Sequence, residues 1–311
     1  MKPSQKLSLI LTFTMSFLAA GYSQLLGANS LQSRENHLSA VSSKSDSKDG
    51  SSSEQDVWVW KYIKGKVITD EKGQKINSYN YLQREFDRAV EKTIKLDIPT
   101  VKVLSLDEKN GGIETRINNK REKEILMVTW TNKKYYPALK DGKPETKELD
   151  RLTWVTAKPQ VYSFCNQTSG IGGNLSHLTR EMMLDLRLTQ YLGLKPQVPK
   201  NNQKDKDSFV EMWVKAKDLK RPCSNESIDT KECSNSGTKK MQQVRKKFLG
   251  DSENNYPFTG LGYTYDWGKP SPVGPSEFVI EASKDELVEV EVVSVYSTKD
   301  YCKNNKISAR E

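Results

Sequence analysis

Four cysteines behind a short apolar leader constrain this chain more than any other feature it carries. Lys2 and Lys6 precede the run Leu7 to Ala20 (LSLILTFTMSFLAA), which is shorter than the ~20 apolar residues a membrane-spanning helix needs. Small residues at Ala19/Gly21 and Gly21/Ser23 offer a cleavage site, so residues 1–23 read as a secretory signal peptide. The length speaks against an uncleaved anchor, and Tyr22 stands where a lipoprotein would carry its cysteine. The mature chain is expected outside the cytoplasm, secreted or periplasmic, where Cys165, Cys223, Cys233 and Cys302 would be oxidised in pairs.

Three pairings of the four are open. We favour Cys223 with Cys233, closing the polar loop SNESIDTKE, and Cys165 with Cys302, tying the middle of the chain to its C-terminal tail. The second closes a long loop and restricts the unfolded chain by roughly 4–5 kcal/mol in the loop-entropy treatment. A structural zinc fits poorly, because there is no C-x-x-C and the two histidines, His37 and His177, are far apart. No metal and no cofactor is expected.

The 29% charged residues and mean hydropathy of -0.73 exclude a polytopic membrane protein, and six tryptophans argue against disorder throughout. The net charge of +9 loses Lys2 and Lys6 with the leader, leaving 47 basic against 40 acidic groups. These are interspersed (KREKE, KDKD), which describes a solvated surface rather than a nucleic-acid track. No nucleic-acid partner and no membrane span in the mature chain are expected; a cell-envelope glycan or a protein is the partner class.

Residues 24–56, with SSKSDSKDGSSSEQD, hold almost nothing to bury and read as a disordered linker. Residues 57–311 then form a single domain, with a sub-boundary suggested near 166–175, and no repeat of fixed period appears. VWVWKYI (57–63), GKVIT (65–69), TVKVLS (100–105), EILMVTWT (124–131), RLTWVTA (151–157), PQVYSFC (159–165) and SFVEMWVK (208–215) are expected strands. SEFVIEA (276–282) and ELVEVEVVSVYS (286–297) read as a C-terminal hairpin. Helical spacing places Tyr79, Leu82, Phe86, Val90 and Thr93/Ile94 on one face after a cap at Asn77 or Ser78. Two further helices are expected over Ser176–Leu192, ended by Gly193, and over 238–249. The fold class is therefore α+β, a mainly antiparallel sheet with two or three helices, disulfide-stabilised and preceded by the linker.

Few motifs carry chemistry. The loop Ser169-Gly170-Ile171-Gly172-Gly173-Asn174 lies between a predicted strand and helix, but Leu175 stands where G-x-G-x-x-G needs its last glycine. His177 is the one histidine of the predicted domain, and a disulfide-bound Cys165 cannot act as its nucleophile. Two carboxylates suffice for glycoside hydrolysis. Glu211, inside the apolar strand FVEMWV, and Asp266, between aromatics, are the catalytic candidates, against the simpler expectation that Glu211 faces solvent and Asp266 caps a turn. The densest aromatic stretch, Tyr256 to Gly268, makes Tyr263, Tyr265 and Trp267, together with Trp213, candidates for stacking on a sugar or peptide ligand. The first three would share one strand face, either core or groove.

The chain carries Leu192-Gly193-Leu194-Lys195-Pro196, FVEMWV (209–214), Asp218-Leu219 and Arg221-Pro222-Cys223, followed by LGYTYDWG (261–268), SEFVI (276–280) and Tyr301-Cys302. Together they resemble an uncharacterised family of secreted bacterial proteins, over roughly the C-terminal half of the chain. The resemblance implies an exported protein with paired cysteines and brings no activity, so no catalytic residue follows from it. The expected function is a non-catalytic cell-envelope or extracellular binding protein for a glycan or protein ligand. The alternatives are a secreted hydrolase of wall polysaccharide or peptide using Glu211 and Asp266, and a structural or interaction protein.

Overall fold

A computed structural model describes Ile63 and residues 65–304, apart from 70–71, 97–99, 108–111, 137–138, 140–141, 168–177, 197–205, 235–237, 251–254 and 270. The expected signal peptide and linker, the glycine loop 170–174 and His177 lie outside the described residues. Those described belong to one compact unit, Ser53–Glu311. Of the expected strand 57–63 only Ile63 is described, and it is helical.

The chain is α+β and its sheets are antiparallel. Runs of alternating side chains form β4 (Thr115–Ile117), β5 (Lys123–Thr131), β6 (Glu145–Leu149), β7 (Thr153–Ala157) and β8 (Ser208–Lys215). They are joined by β9 (Leu219–Lys220), β11 (Tyr263–Tyr265), β12 (Val273–Ile280) and β13 (Val288–Ser297). Together these make a nine-stranded sheet in the order β11-β12-β7-β5-β8-β13-β6, with β4 beside β5 and β9 beside β12. Two small two-stranded sheets complete the strands: β1 (Val67–Thr69) with β2 (Lys75–Asn77), and β3 (Thr100–Lys102) with β10 (Glu232–Ser234).

Five helices are described, two more than the upper expectation. Helix α1 (Ser78–Ile94) begins where Asn77 Oδ1 accepts the Tyr79 and Asn80 amides, and it buries Leu82, Phe86, Ala89 and Val90. Helix α3 (Arg180–Tyr191) is capped by Thr179 and ends in a Schellman turn. Gly193, at φ +63°, lets the Leu194 amide reach the Thr189 carbonyl and its own amide reach Gln190. Helix α4 (Thr238–Leu249) matches its expected span, and α5 (Thr298–Asn304) follows β13 directly.

Two expectations are corrected. PQVYSFC is not a strand but part of helix α2 (Lys158–Gln167). Its buried residues Val161, Phe164 and Cys165 follow an i, i+3, i+4 spacing, and Pro159 sits in the first turn, where the missing amide costs nothing. Nor do β12 and β13 form a hairpin: β12 pairs with β7, β9 and β11, and β13 with β8 and β6, so three strands stand between them.

The two sheet faces differ. Val210, Met212 and Val214 of β8 join Ile125, Met127, Val155, Phe278, Ile280 and Val290 in one continuous cluster across the first face. On the second face Val128, Trp130 and Phe209 meet Val161, Phe164 and Cys165 of α2, Leu188 of α3 and Tyr301 of α5. Both expected disulfides are present, Cys165–Cys302 linking α2 to α5 and Cys223–Cys233 closing its loop. Among the described residues no helix is long and apolar enough to cross a membrane.

Candidate functional site

The register across the second face places Glu277 of β12, Thr156 of β7, Val128 of β5, Glu211 of β8 and Ser294 of β13 in one transverse row. Two carboxylates thus share a buried row, and their surroundings differ sharply.

Glu211 is 7% exposed, not solvent-facing, because α2 lies over it. Lys158 Nζ, at the start of α2, is 3.4 Å from its Oε1, and Ser294 Oγ donates to Oε2 at 2.9 Å. Burial alone would lower the Lys158 pKa, but Glu211 and Glu114 outweigh it and hold the ammonium above its ordinary value. The Tyr301 phenol is pushed up by burial first and by Glu211 second. Glu211 is therefore tied into a network with Lys158 and Ser294.

Asp266 is fully committed. Arg187 of α3 grips it bidentately, Nη1 to Oδ1 at 3.1 Å and Nη2 to Oδ2 at 2.8 Å, with both side chains buried. The Gly268 amide also donates to Oδ1, closing the turn after β11. A Cβ on Gly268 would stand 1.9 Å from Arg187 Nη1, so this glycine is what lets the guanidinium approach. The structure does not bring Glu211 and Asp266 together around a substrate-sized space: one answers to Lys158 and the other to Arg187.

The candidate aromatics are distributed through the interior. Tyr263, Tyr265 and Trp267 are 4%, 7% and 8% exposed, and a register shift between Tyr263 and Tyr265 ends the expected single face. Tyr263 packs with Cys223, Cys233, Met241 and Leu261. Trp267 meets Phe86 of α1 edge-on at 5.9 Å and donates its indole N–H to the Leu194 carbonyl. Trp213, half-buried on the second face, is covered by the Arg116 guanidinium 4.7 Å from its ring, and Arg116 in turn pairs with Glu124 and Glu291. A stacking surface open to solvent is not what these four residues form.

Tyr265 has a second role. It lines a cavity of about 480 Å³ on the same sheet face, at the other end of the row from Glu211. Its sheet wall is Val128, Trp154 and Thr156, and Glu277 reaches it from β12. Opposite lie Phe248 of α4, Pro257 and Phe258, and Leu194 beyond the α3 terminus. Trp154 meets Phe258 and Phe248 edge-on, at 6.0 and 6.5 Å, so this wall is a packed aromatic corner. Its size is that of a site for one small organic molecule.

Glu277 is 8% exposed, and among the described residues its Oε1 has no hydrogen-bond partner. The Thr156 hydroxyl beside it is spent on the Ser276 carbonyl. Burial pushes the Glu277 carboxyl up to about 8, so at neutral pH it is largely protonated. Sequence reasoning missed it, although SEFVI places an acid in an apolar strand just as FVEMWV does.

Among the described residues no group of three or more His, Cys, Asp or Glu is placed to hold a metal ion. Comparison of the chain with protein-family models, curated proteins and solved structures finds no match.

Proposed function

We propose that this protein is an exported, non-catalytic binding protein whose ligand is a small molecule with a largely apolar body, held in the cavity beside Glu277. The carrying observation is a buried, unpartnered carboxyl lining an apolar space of about 480 Å³. A packed core rarely leaves a buried acid unsatisfied, and this one lines a half-open cleft that a ligand can enter. A ligand seated there supplies the missing partner. The extracytoplasmic placement is supported by the leader and by the two disulfides. The glycan or protein ligand expected on the aromatic stretch gives way here to a smaller one, because Tyr263 and Trp267 are committed to the core and Trp213 to Arg116.

The test is titration with N-phenyl-1-naphthylamine, a weakly basic dye whose emission rises in apolar surroundings. Saturable 1:1 binding is expected, weakened at least tenfold by Leu194→Trp, which narrows the cavity from its partly exposed side. Absence of saturable binding, or equal binding by a Leu194→Trp variant of unchanged circular dichroism, would remove the cavity from consideration.

A further inference from the structure

Three buried acids of this protein are held by cations, and Glu277 is not. Glu124 is held by Arg116 at 2.6 Å and by Asn118 at 2.9 Å, Glu211 by Lys158 and Ser294, and Asp266 by Arg187. Glu277 is as deeply buried as these, and burial is the sole cause of its shift, with no cation acting on it. Charged and titratable groups stand around the cavity on several elements, and none of the cations acts on Glu277. Lys206 donates to the Trp130 carbonyl at 3.0 Å; Lys195 is exposed; the Arg245 guanidinium donates to the Phe258 carbonyl and lies over that ring; Tyr256 and Tyr265 stand in the walls. The Tyr263 phenol, behind β12, is pushed up by burial first, with Tyr265 and Glu277 adding to it.

Although Lys195 and Lys206 line the cavity, Glu277 itself has no counter-cation. We infer that its ligand is an organic amine, seated with its ammonium group on the Glu277 carboxylate and its hydrocarbon body against Trp154, Phe258 and Tyr265. The inference rests on the small-ligand function proposed above and names the ligand's chemical class.

The acid–base chemistry favours an amine over a neutral acceptor. An alkylamine is a stronger base than the Glu277 carboxylate. In the bound state the proton therefore resides on nitrogen, and a neutral hydrogen bond becomes a charge-assisted one. An ammonium ion offers three donors, enough to serve both carboxylate oxygens, and aromatic walls attract a cation that has left water. A ligand entering as the ammonium ion displaces the carboxyl proton, so one proton leaves the protein for each ligand bound. A carbonyl ligand would accept from the protonated acid and release nothing.

The experiment uses the full chain with both disulfides formed and two probes of equal chain length, n-octylamine and n-octanol, in isothermal titration calorimetry from pH 6 to pH 8. The amine is expected to bind about tenfold more weakly for each pH unit below the Glu277 pKa, so its affinity rises from pH 6 towards pH 8, and octanol to show no such rise. Repeating the pH 7 titration in two buffers of different ionisation enthalpy should report close to one proton released per amine. Glu277→Gln should abolish the pH dependence and weaken octylamine at least tenfold at pH 8 while leaving octanol within about twofold. Equal affinity for the two probes with a flat profile would overturn the amine assignment and leave the apolar-ligand function standing. Binding of neither probe would overturn both. The proton count on the unaltered protein decides the matter if the variant fails to fold.

Discussion

Glu277→Gln also makes a prediction about the protein without any ligand. The folded-state pKa is raised from the ordinary 4.5 to about 8 by burial. Below pH 4.5 the carboxyl is protonated in both the folded and unfolded chain and contributes no penalty. Between 4.5 and 8 the unfolded chain ionises while the folded one stays protonated, so stability falls as pH rises by about 1.4 kcal/mol per unit. The full loss is about 4–5 kcal/mol above pH 8, with about 3 kcal/mol of it reached by pH 7. Set against a typical total of about 5–15 kcal/mol, that is large. Glutamine keeps the shape and cannot ionise. Urea unfolding of both proteins at half-unit intervals from pH 4.5 to 8.5 should give curves that diverge steadily, with the variant the more stable at the alkaline end. Other shifted acids do not confuse the difference. Glu122 is lowered chiefly by its bond from Lys217 and Asp150 by its bond from Arg151, while Asp218 is raised by burial; all three are common to both proteins. Parallel stability curves at unchanged denaturant slope would refute the reasoning, because they would mean that Glu277 ionises in the folded protein at no cost.

Three further outcomes are expected. The two disulfides close loops of sequence separation 137 and 10, so replacing Cys165 and Cys302 by alanine should cost about 5 kcal/mol and replacing Cys223 and Cys233 about 2.7 kcal/mol, read from urea midpoints; a larger loss from the shorter loop would contradict the loop-entropy account. Arg187→Met strands Asp266 in the core and should cost about 3–5 kcal/mol, much of it regained in Arg187→Met/Asp266→Leu, whereas additive losses would deny that the two act as a pair. Asn77→Ala removes the oxygen that caps α1 and should lower stability by about 1 kcal/mol, with Asn77→Ser close to the parent protein in thermal melts.

What the residues disclosed by themselves was local. The α1 stripe, the span of β8 and the α4 span need only periodicity and a capping residue, and the disulfide pairing followed from separation and loop polarity. PQVYSFC misled because seven residues rich in aromatic and branched side chains satisfy strand propensity, although Val161, Phe164 and Cys165 already stood at helical intervals. The partners of β12 and β13 were out of reach for a different reason: pairing is settled by strands far removed in sequence, and the polar turn between them suggested the cheaper local solution. The same non-locality hid the site. Glu211 and Glu277 both stand in apolar strands, and only the placement of Lys158 over the transverse row tells the ion-paired acid from the lone one.

The position of β13 bears on the order in which this chain can finish folding. The last strand to be made lies between β8 and β6, both of which precede it by many residues. Until it arrives, β8 is paired with β5 on one side and presents a bare row of amides and carbonyls on the other, bordered by Phe209 and Met212. Such an edge invites pairing with another chain. A polypeptide delivered N-terminus first thus carries this adhesive edge from the completion of β8 at Lys215 until β13 follows it, and the act that seals it also brings Cys302 alongside Cys165. The long-range bridge then serves as a latch on completed work, able to close only on molecules in which the final strand has gone home.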